Sequence, residues 1–214
     1  MIKAIIFDMD GLLFDSERVV QRSWNIAGDK MGISNFGDHI YNTIGLNVVG
    51  REAYFKRAVS PDFPMERFSD MTRKAFHEIA DSEGIPLKPG VKELLRFAKA
   101  RGYKLAVASS SRRVHGTTMI KNANIDTYFD AMIFGDMVKN AKPDPEIFLT
   151  AAKLLGLNPS EAIVLEDSPN GIKAAGAASM ISFMIPDLVM PDEAVRQTAS
   201  GVFDSLYSII DLLS

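Results

Sequence analysis

Ile2-Lys3-Ala4-Ile5-Ile6-Phe7-Asp8-Met9-Asp10-Gly11 sets two carboxylates two residues apart where an apolar run stops. Ile2 to Phe7, with Lys3 its one charge, reads as a short buried strand, and Gly11 permits a sharp exit. An Asp at the end of such a strand faces the crevice where open α/β sheets hold their ligands. Asp8 then stands at that edge and Asp10 just beyond it. The same Asp-Met-Asp-Gly reads equally as a solvated turn, because Asp and Gly are common turn formers. The rest of the chain has to decide.

A length of 214 residues allows one substantial core, or one core with a small accessory domain. The net charge of -3 gives no electrostatic reason to expect nucleic acid as a partner, while leaving room for phosphate groups held locally. Cysteine is absent, which rules out disulfides and thiolate metal sites in this chain and is compatible with a reducing cytoplasm. The first apolar run is interrupted at Asp8, far short of a signal peptide or a membrane span. The expected setting is therefore cytoplasmic, without a membrane partner, and nothing in the sequence demands more than a monomer.

After Gly11, the apolar link Leu12 to Phe14 leads to Asp15 or Ser16 as a helix cap. Val19, Val20, Ser23, Trp24, Ala27 and Met31 then recur at helical spacing until Gly32. From Ile33 to Gly84 there is no β-branched run. Tyr54, Phe55, Phe68, Met71, Ala75, Phe76 and Ile79 fall at helical intervals, and Pro61 and Pro64 separate two helices. Residues 15–84 are thus expected to form an all-helical cap domain, inserted into an α/β core made of residues 1–14 and 85–214. Beyond Pro89 the pattern alternates. Helices at Gly90 to Arg101, up to about Asn122, between Asp144 and Gly156, and from Ser168-Pro169 separate strands at Tyr103 to Ala108, Met132 to Phe134, Ala162 to Leu165 and Met180 to Met184. A terminal helix starts at Ser205. Strands and helices in this order imply a Rossmann-like parallel sheet covered on both faces.

The polar residues after each strand agree with one another. Asp8 and Asp10 follow the first, Ser109 the second, Glu166 and Asp167 the fourth, and Lys142 lies in the loop after the third. Four carboxylates, a lysine and a hydroxyl would converge on one sheet edge. Carboxylates so close repel one another and need a cation, and an all-oxygen site of this kind suits Mg²⁺. Lys142 adds a fixed positive charge suited to holding a carboxylate and a phosphate together. Ser109, Ser110 and Ser111 also stand where a helix cap is needed, so at least one is expected to cap the helix that follows.

Phe7-Asp8-Met9-Asp10-Gly11, Ser109, Lys142-Pro143-Asp144-Pro145 and Glu166-Asp167-Ser168, in this order, resemble the four motifs of the haloacid dehalogenase superfamily. The helical insert resembles the cap of its β-phosphoglucomutase-like branch. The resemblance implies a Mg²⁺-dependent phosphatase acting on a small phosphorylated metabolite through an aspartyl phosphate. Asp8 would be the nucleophile, taken to be ionised already at neutral pH, and Asp10 the acid and base. Ser109 and Lys142 would contact the phosphoryl oxygens, with Gly11 and Ser110 adding to the phosphate site. Asp8, Asp10 through its backbone carbonyl, and Asp167 would hold the metal, supported by Glu166.

The cap of this branch recognises the leaving alcohol, which makes Ser16, Glu17, Asn47, Arg51 and His77 candidates. Arg51 leads them, because a guanidinium can grip an anionic second group. The mutase of this branch carries a histidine on the first cap helix, following a threonine, whereas this chain reads Asp15-Ser16-Glu17-Arg18-Val19-Val20 and has no histidine before His39. That favours a phosphatase over a phosphosugar mutase. A non-catalytic phosphate- or partner-binding protein on the same scaffold predicts loss of Asp8, Asp10, Lys142 or Asp167, and all four are present.

Overall fold

The computed structural model describes residues 1–44 and 48–214. The chain opens with β1 (Ala4–Phe7), every residue of it buried. The helical insertion follows: α1 (Ser16–Lys30), a 3-10 turn at Phe36–Asn42, α2 (Val48–Ala58) and α3 (Met65–Glu83). Then come α4 (Val91–Ala100), β2 (Lys104–Ser109), α5 (Arg113–Asn122), β3 (Ala131–Phe134), α6 (Glu146–Leu155) and β4 (Ala162–Glu166). The chain closes with α7 (Pro169–Ala177), β5 (Ile181–Met184), α8 (Glu193–Thr198), β6 (Gly201–Val202) and α9 (Leu206–Leu213).

The strands form one parallel sheet in the order β3-β2-β1-β4-β5-β6. A parallel sheet is covered on both faces, which explains why Ala-Ile-Ile-Phe and Ala-Ile-Val-Leu carry no polar alternation. Ile6, Ala106, Ala108, Ile147, Phe148, Val164 and Ala174 meet in the core on one face of it. Register places the ends of the central strands side by side. Phe7 lies opposite Val107 on one side and Leu165 on the other. Asp8 and Glu166, each one residue further, therefore emerge as neighbours. The Asp8 N–H donates to the Leu165 carbonyl at 2.9 Å, so β1 keeps its pairing up to the reactive position.

Two compact units emerge, Met1–Phe14 with Leu87–Ser214, and Asp15–Pro86. The described residues of the second contain no strand. Its centre is aromatic: Trp24, Phe36, Phe55, Phe63 and Phe68 are all buried and meet in edge-on, tilted and stacked pairs. Each buried ring contributes about 2 kcal/mol of hydrophobic burial, offsetting the short length of the helices. Pro61 and Pro64 do separate α2 from α3, with Pro64 in the N-cap position.

Several details depart from the sequence reading. β1 begins at Ala4 rather than Ile2. α8 and β6 have no counterpart in it, because six and two residues are too short to show a period. α6 starts at Glu146 with Pro145 as its N-cap, while Asp144 Oδ1 accepts the Glu146 N–H at 2.9 Å. The helix therefore begins one residue later than a first-turn proline implies.

Candidate active site

Asp8, Lys142, Glu166 and Asp167 form a buried polar cluster at the C-terminal ends of β1 and β4. Lys142 Nζ donates to Asp8 Oδ1 at 2.5 Å, to Glu166 Oε1 at 2.6 Å and to the Ala108 carbonyl at 2.9 Å. It thereby ties the ends of β1, β2 and β4 together. The loop that carries Lys142 is itself braced, since the Glu146 carboxylate accepts the N–H groups of Lys139 and Asn140 at 3.0 and 2.9 Å. Sequence reading missed this role of Glu146. Acceptance by a carboxylate from residues six and seven positions back is a loop contact with no periodic signature.

Glu166 is fully buried and engaged at both oxygens. Its Oε2 accepts the Asp167 and Ser168 N–H groups, both at 3.1 Å, and the Ser168 hydroxyl at 2.9 Å. Ser168 also caps α7, accepting the Gly171 N–H at 3.1 Å. Glycine is required at 171, because a Cβ there would lie 1.8 Å from the Glu166 carboxyl carbon. Asn170-Gly171 therefore belongs to the first turn of a helix, where its lack of a side chain admits the carboxylate. Gly11, at φ +82, makes the turn after Asp10, and a Cβ on it would meet Asp167 Oδ2 at 2.2 Å. Gly11 thus contributes close approach of the backbone to an acidic side chain.

Asp8, Glu166 and Asp167 present carboxylate oxygens within 4.8 Å of one another, an arrangement that can hold a metal ion. Three buried carboxylates against one lysine leave excess negative charge, and all the donors are oxygen, which suits a hard divalent cation. The Asp10 side chain lies outside that trio. Its Oδ2 accepts the Ser111 hydroxyl at 2.7 Å and the Ser109 hydroxyl at 3.3 Å.

Burial pushes the Asp8 carboxyl up to about 8; Lys142 pulls it down, while Glu166 and Asp10 push it further up. The expectation of an Asp8 ionised as an ordinary carboxylate overlooks this burial, which works against the charged form in the protein without a cation. Burial works against the charge of Lys142 too, but the carboxylates of Asp8 and Glu166 overcome it and raise its pKa, keeping the lysine protonated. A cation in the carboxylate cluster would favour the ionised form of Asp8 by direct charge attraction.

The serine run behaves differently from expectation. None of Ser109, Ser110 and Ser111 caps α5, whose N-cap is Arg112, with Asp136 accepting the Arg113 N–H at 2.9 Å. The serine hydroxyls of 109 and 111 are drawn to Asp10 instead. Ser110 is exposed and is not among the groups joined to Asp10 or Lys142 by the hydrogen bonds given above. Ser111 was missed as a site residue, although residues i and i+2 of an extended segment share a side, which is the signal that pairs it with Ser109.

Ser16 and Arg51 belong to the helical unit. Ser16 is buried at the start of α1. The Arg51 guanidinium lies 5.6 Å from the centre of the Trp24 ring; burial pushes its pKa down and the Glu17 carboxylate opposes this. Its Nε is buried without a hydrogen-bond partner. His77 is exposed, and Asn47 lies outside the described residues.

The haloacid dehalogenase-like hydrolase family matches residues 2–179. The chain belongs to this family. A phosphorylated carbohydrates phosphatase from Thermotoga maritima is 34% identical to it over 184 residues, which cover 84% of this chain and 82% of the relative. A variant of CbbY from Rhodobacter sphaeroides, solved with xylulose-(1,5)bisphosphate, superposes with a TM-score of 0.79 at 27% identity, covering 96% and 95% of the two chains. The β-phosphoglucomutase of Clostridium difficile does so with a TM-score of 0.75 at 27% identity, covering 98% and 93%. The chain is thus a haloacid dehalogenase-like hydrolase of the phosphatase type, similar in structure to the β-phosphoglucomutase and CbbY branch with its helical insertion between β1 and β2. No described helix is long and apolar enough to cross a membrane.

Proposed function

We propose that the protein hydrolyses a small phosphate monoester, a sugar phosphate or similar metabolite, in a Mg²⁺-dependent reaction through an aspartyl phosphate on Asp8. The observation that carries this reading is the contact of Lys142 with both Asp8 and Glu166, at the strand ends where Asp10 and the carboxylate trio also emerge. A carboxylate oxygen of Asp8 attacks phosphorus, and the bond from phosphorus to the alcohol oxygen breaks. Asp10 delivers a proton to that oxygen. Water then attacks phosphorus and gives its proton to Asp10. The acyl-phosphate bond breaks, releasing inorganic phosphate and restoring both aspartates. Lys142 holds Asp8 in place throughout and faces the phosphoryl group with a fixed charge, joined by nearby N–H groups, while the Ser109 hydroxyl is engaged by Asp10. Asp8, Asp167 and the Asp10 carbonyl would hold Mg²⁺, with Glu166 behind them, and the ion would offset charge on the phosphoryl group in flight.

The T. maritima relative supports a carbohydrate phosphate as substrate, and the CbbY complex supports a phosphorylated sugar. Arg51, with its buried Nε, is proposed to meet an anionic or hydroxyl-bearing group on the substrate, and Ser16 to assist it. Similarity to a β-phosphoglucomutase favours a second reading, a phosphosugar mutase. The absence of a histidine before His39 weighs against it. Incubation with glucose 1-phosphates and glucose 6-phosphate in the presence of Mg²⁺ separates the two. The expected outcome is free phosphate without isomerised sugar; isomer accumulating ahead of phosphate would make the protein a mutase.

A further inference from the structure

We propose that Ser111 is a positioning residue that, together with Ser109, aims the Asp10 carboxyl group at the leaving oxygen, resting on the reading above of Asp10 as the leaving-group acid. Ser111 Oγ donates to Asp10 Oδ2 at 2.7 Å and Ser109 Oγ donates to the same oxygen at 3.3 Å. A third bond braces the pair, the Ser111 N–H donating to Ser109 Oγ at 3.0 Å. The Ser109 hydroxyl thus accepts from Ser111 and gives its one proton to Asp10. Ser109 and Ser111 thus act as one clamp, cross-braced by backbone and closing on one oxygen.

The clamp is mounted on rigid structure. Ser109 ends β2, fully buried and in register with Phe134 of β3. The next residue, Gly135, donates its N–H to the Ser111 carbonyl at 2.9 Å. Close packing at this point is part of the arrangement, since a Cβ on Gly135 would stand 2.3 Å from the Ser110 carbonyl oxygen. Asp10 needs such support. It sits beyond the end of β1 and next to the φ +82 turn at Gly11, half-buried, where strand pairing does not fix its side chain. Every group in the clamp belongs to the α/β unit. The clamp thus braces the acid from the sheet that carries the nucleophile.

The test compares Ser111→Ala, Ser111→Thr and Asp10→Asn on p-nitrophenyl phosphate and on alkyl phosphates, reading kcat/KM, which reports the step that expels the leaving group. A good leaving group departs without a proton, whereas an alkoxide requires one. Ser111→Ala is expected to lower kcat/KM on alkyl phosphates by about tenfold or more and on p-nitrophenyl phosphate by less than about threefold. Ser111→Thr, which keeps the hydroxyl, should restore most of the loss. Gly135→Ala gives an independent arm: it displaces the backbone behind Ser111 and should reproduce the leaving-group-dependent loss with the hydroxyl present. If Asp10→Asn discriminates between the substrates while Ser111→Ala and Gly135→Ala slow both equally, the clamp is overturned and the acid role of Asp10 stands. If Asp10→Asn itself slows both equally, the acid role fails, and the clamp with it.

Discussion

Asp8→Asn is expected to abolish phosphatase activity, by at least about a thousandfold, while leaving the metal-free protein as stable as the parent or more so. The loss follows from chemistry: an amide does not attack phosphorus as a carboxylate does. The stability follows from charge. Asp8 and Glu166 share one ammonium group, at 2.5 and 2.6 Å, and none of the three side chains is more than 10% exposed. Burial together with Glu166 and Asp10 already disfavours the ionised form of Asp8. A neutral side chain of the same shape removes that repulsion and leaves Lys142 and Glu166 as a balanced pair. Activity and urea-unfolding midpoints measured on one preparation check both halves. A variant that loses activity because it unfolds would contradict the charge argument.

Lys142→Met is expected to have the opposite balance, losing activity and about 3–5 kcal/mol of stability near neutral pH. The Lys142 side chain is only 6% exposed, so its removal strands the buried Glu166 carboxylate without a counter-charge and leaves Asp8 to ionise only at still higher pH. The penalty should shrink as the pH falls. With Lys142 gone, the remaining causes all raise Asp8, so its folded pKa lies above that of the parent, itself raised to about 8 from an unfolded value near 3.9. A carboxyl raised in this way binds its proton more tightly in the native state. Its contribution is fully present below the unfolded pKa and is lost as pH rises through the folded one. Urea unfolding of the parent and the variant at about pH 7 and about pH 9.5, without divalent cations, should show the larger deficit at the higher pH, above the Asp8 value of about 8 in the parent. A deficit independent of pH would mean that Lys142 acts by packing, for instance through the Phe148 ring 4.9 Å away, rather than by charge.

The strands that build the site were the most legible part of the chain, for a physical reason. β1, β2 and β4 are buried on both faces and so read as unbroken apolar runs, and the residues one step beyond them are polar. Asp8 and Glu166 could be placed side by side from that alone, because parallel strands in register end together. α8 and β6 were not legible, since the short strand at Gly201–Val202 takes its place from pairing with Phe183 and Met184 rather than from a local preference. The serine run was misread where a distant residue intervened. Asp136, 23 positions from Arg113, supplies the cap that a local serine would have given. The protonation state of Asp8 was illegible for a related reason. It depends on burial and on three charges brought together from Asp10, Lys142 and Glu166, none of which composition reveals. In the helical insertion the aromatic residues announced a core of their own, but no spacing rule picks out which polar side chain meets a substrate.

The covalent intermediate on Asp8 is the centre of the account, and it can be trapped. A single turnover with p-nitrophenyl phosphate and Mg²⁺, quenched in acid and reduced with borohydride, converts an aspartyl phosphate to homoserine at the residue that carried it. Peptide mass mapping should find the reduced residue at position 8 alone, and none in Asp8→Asn. Phosphate released with no modified residue, or a modification at another carboxylate such as Asp10 or Asp167, would contradict it.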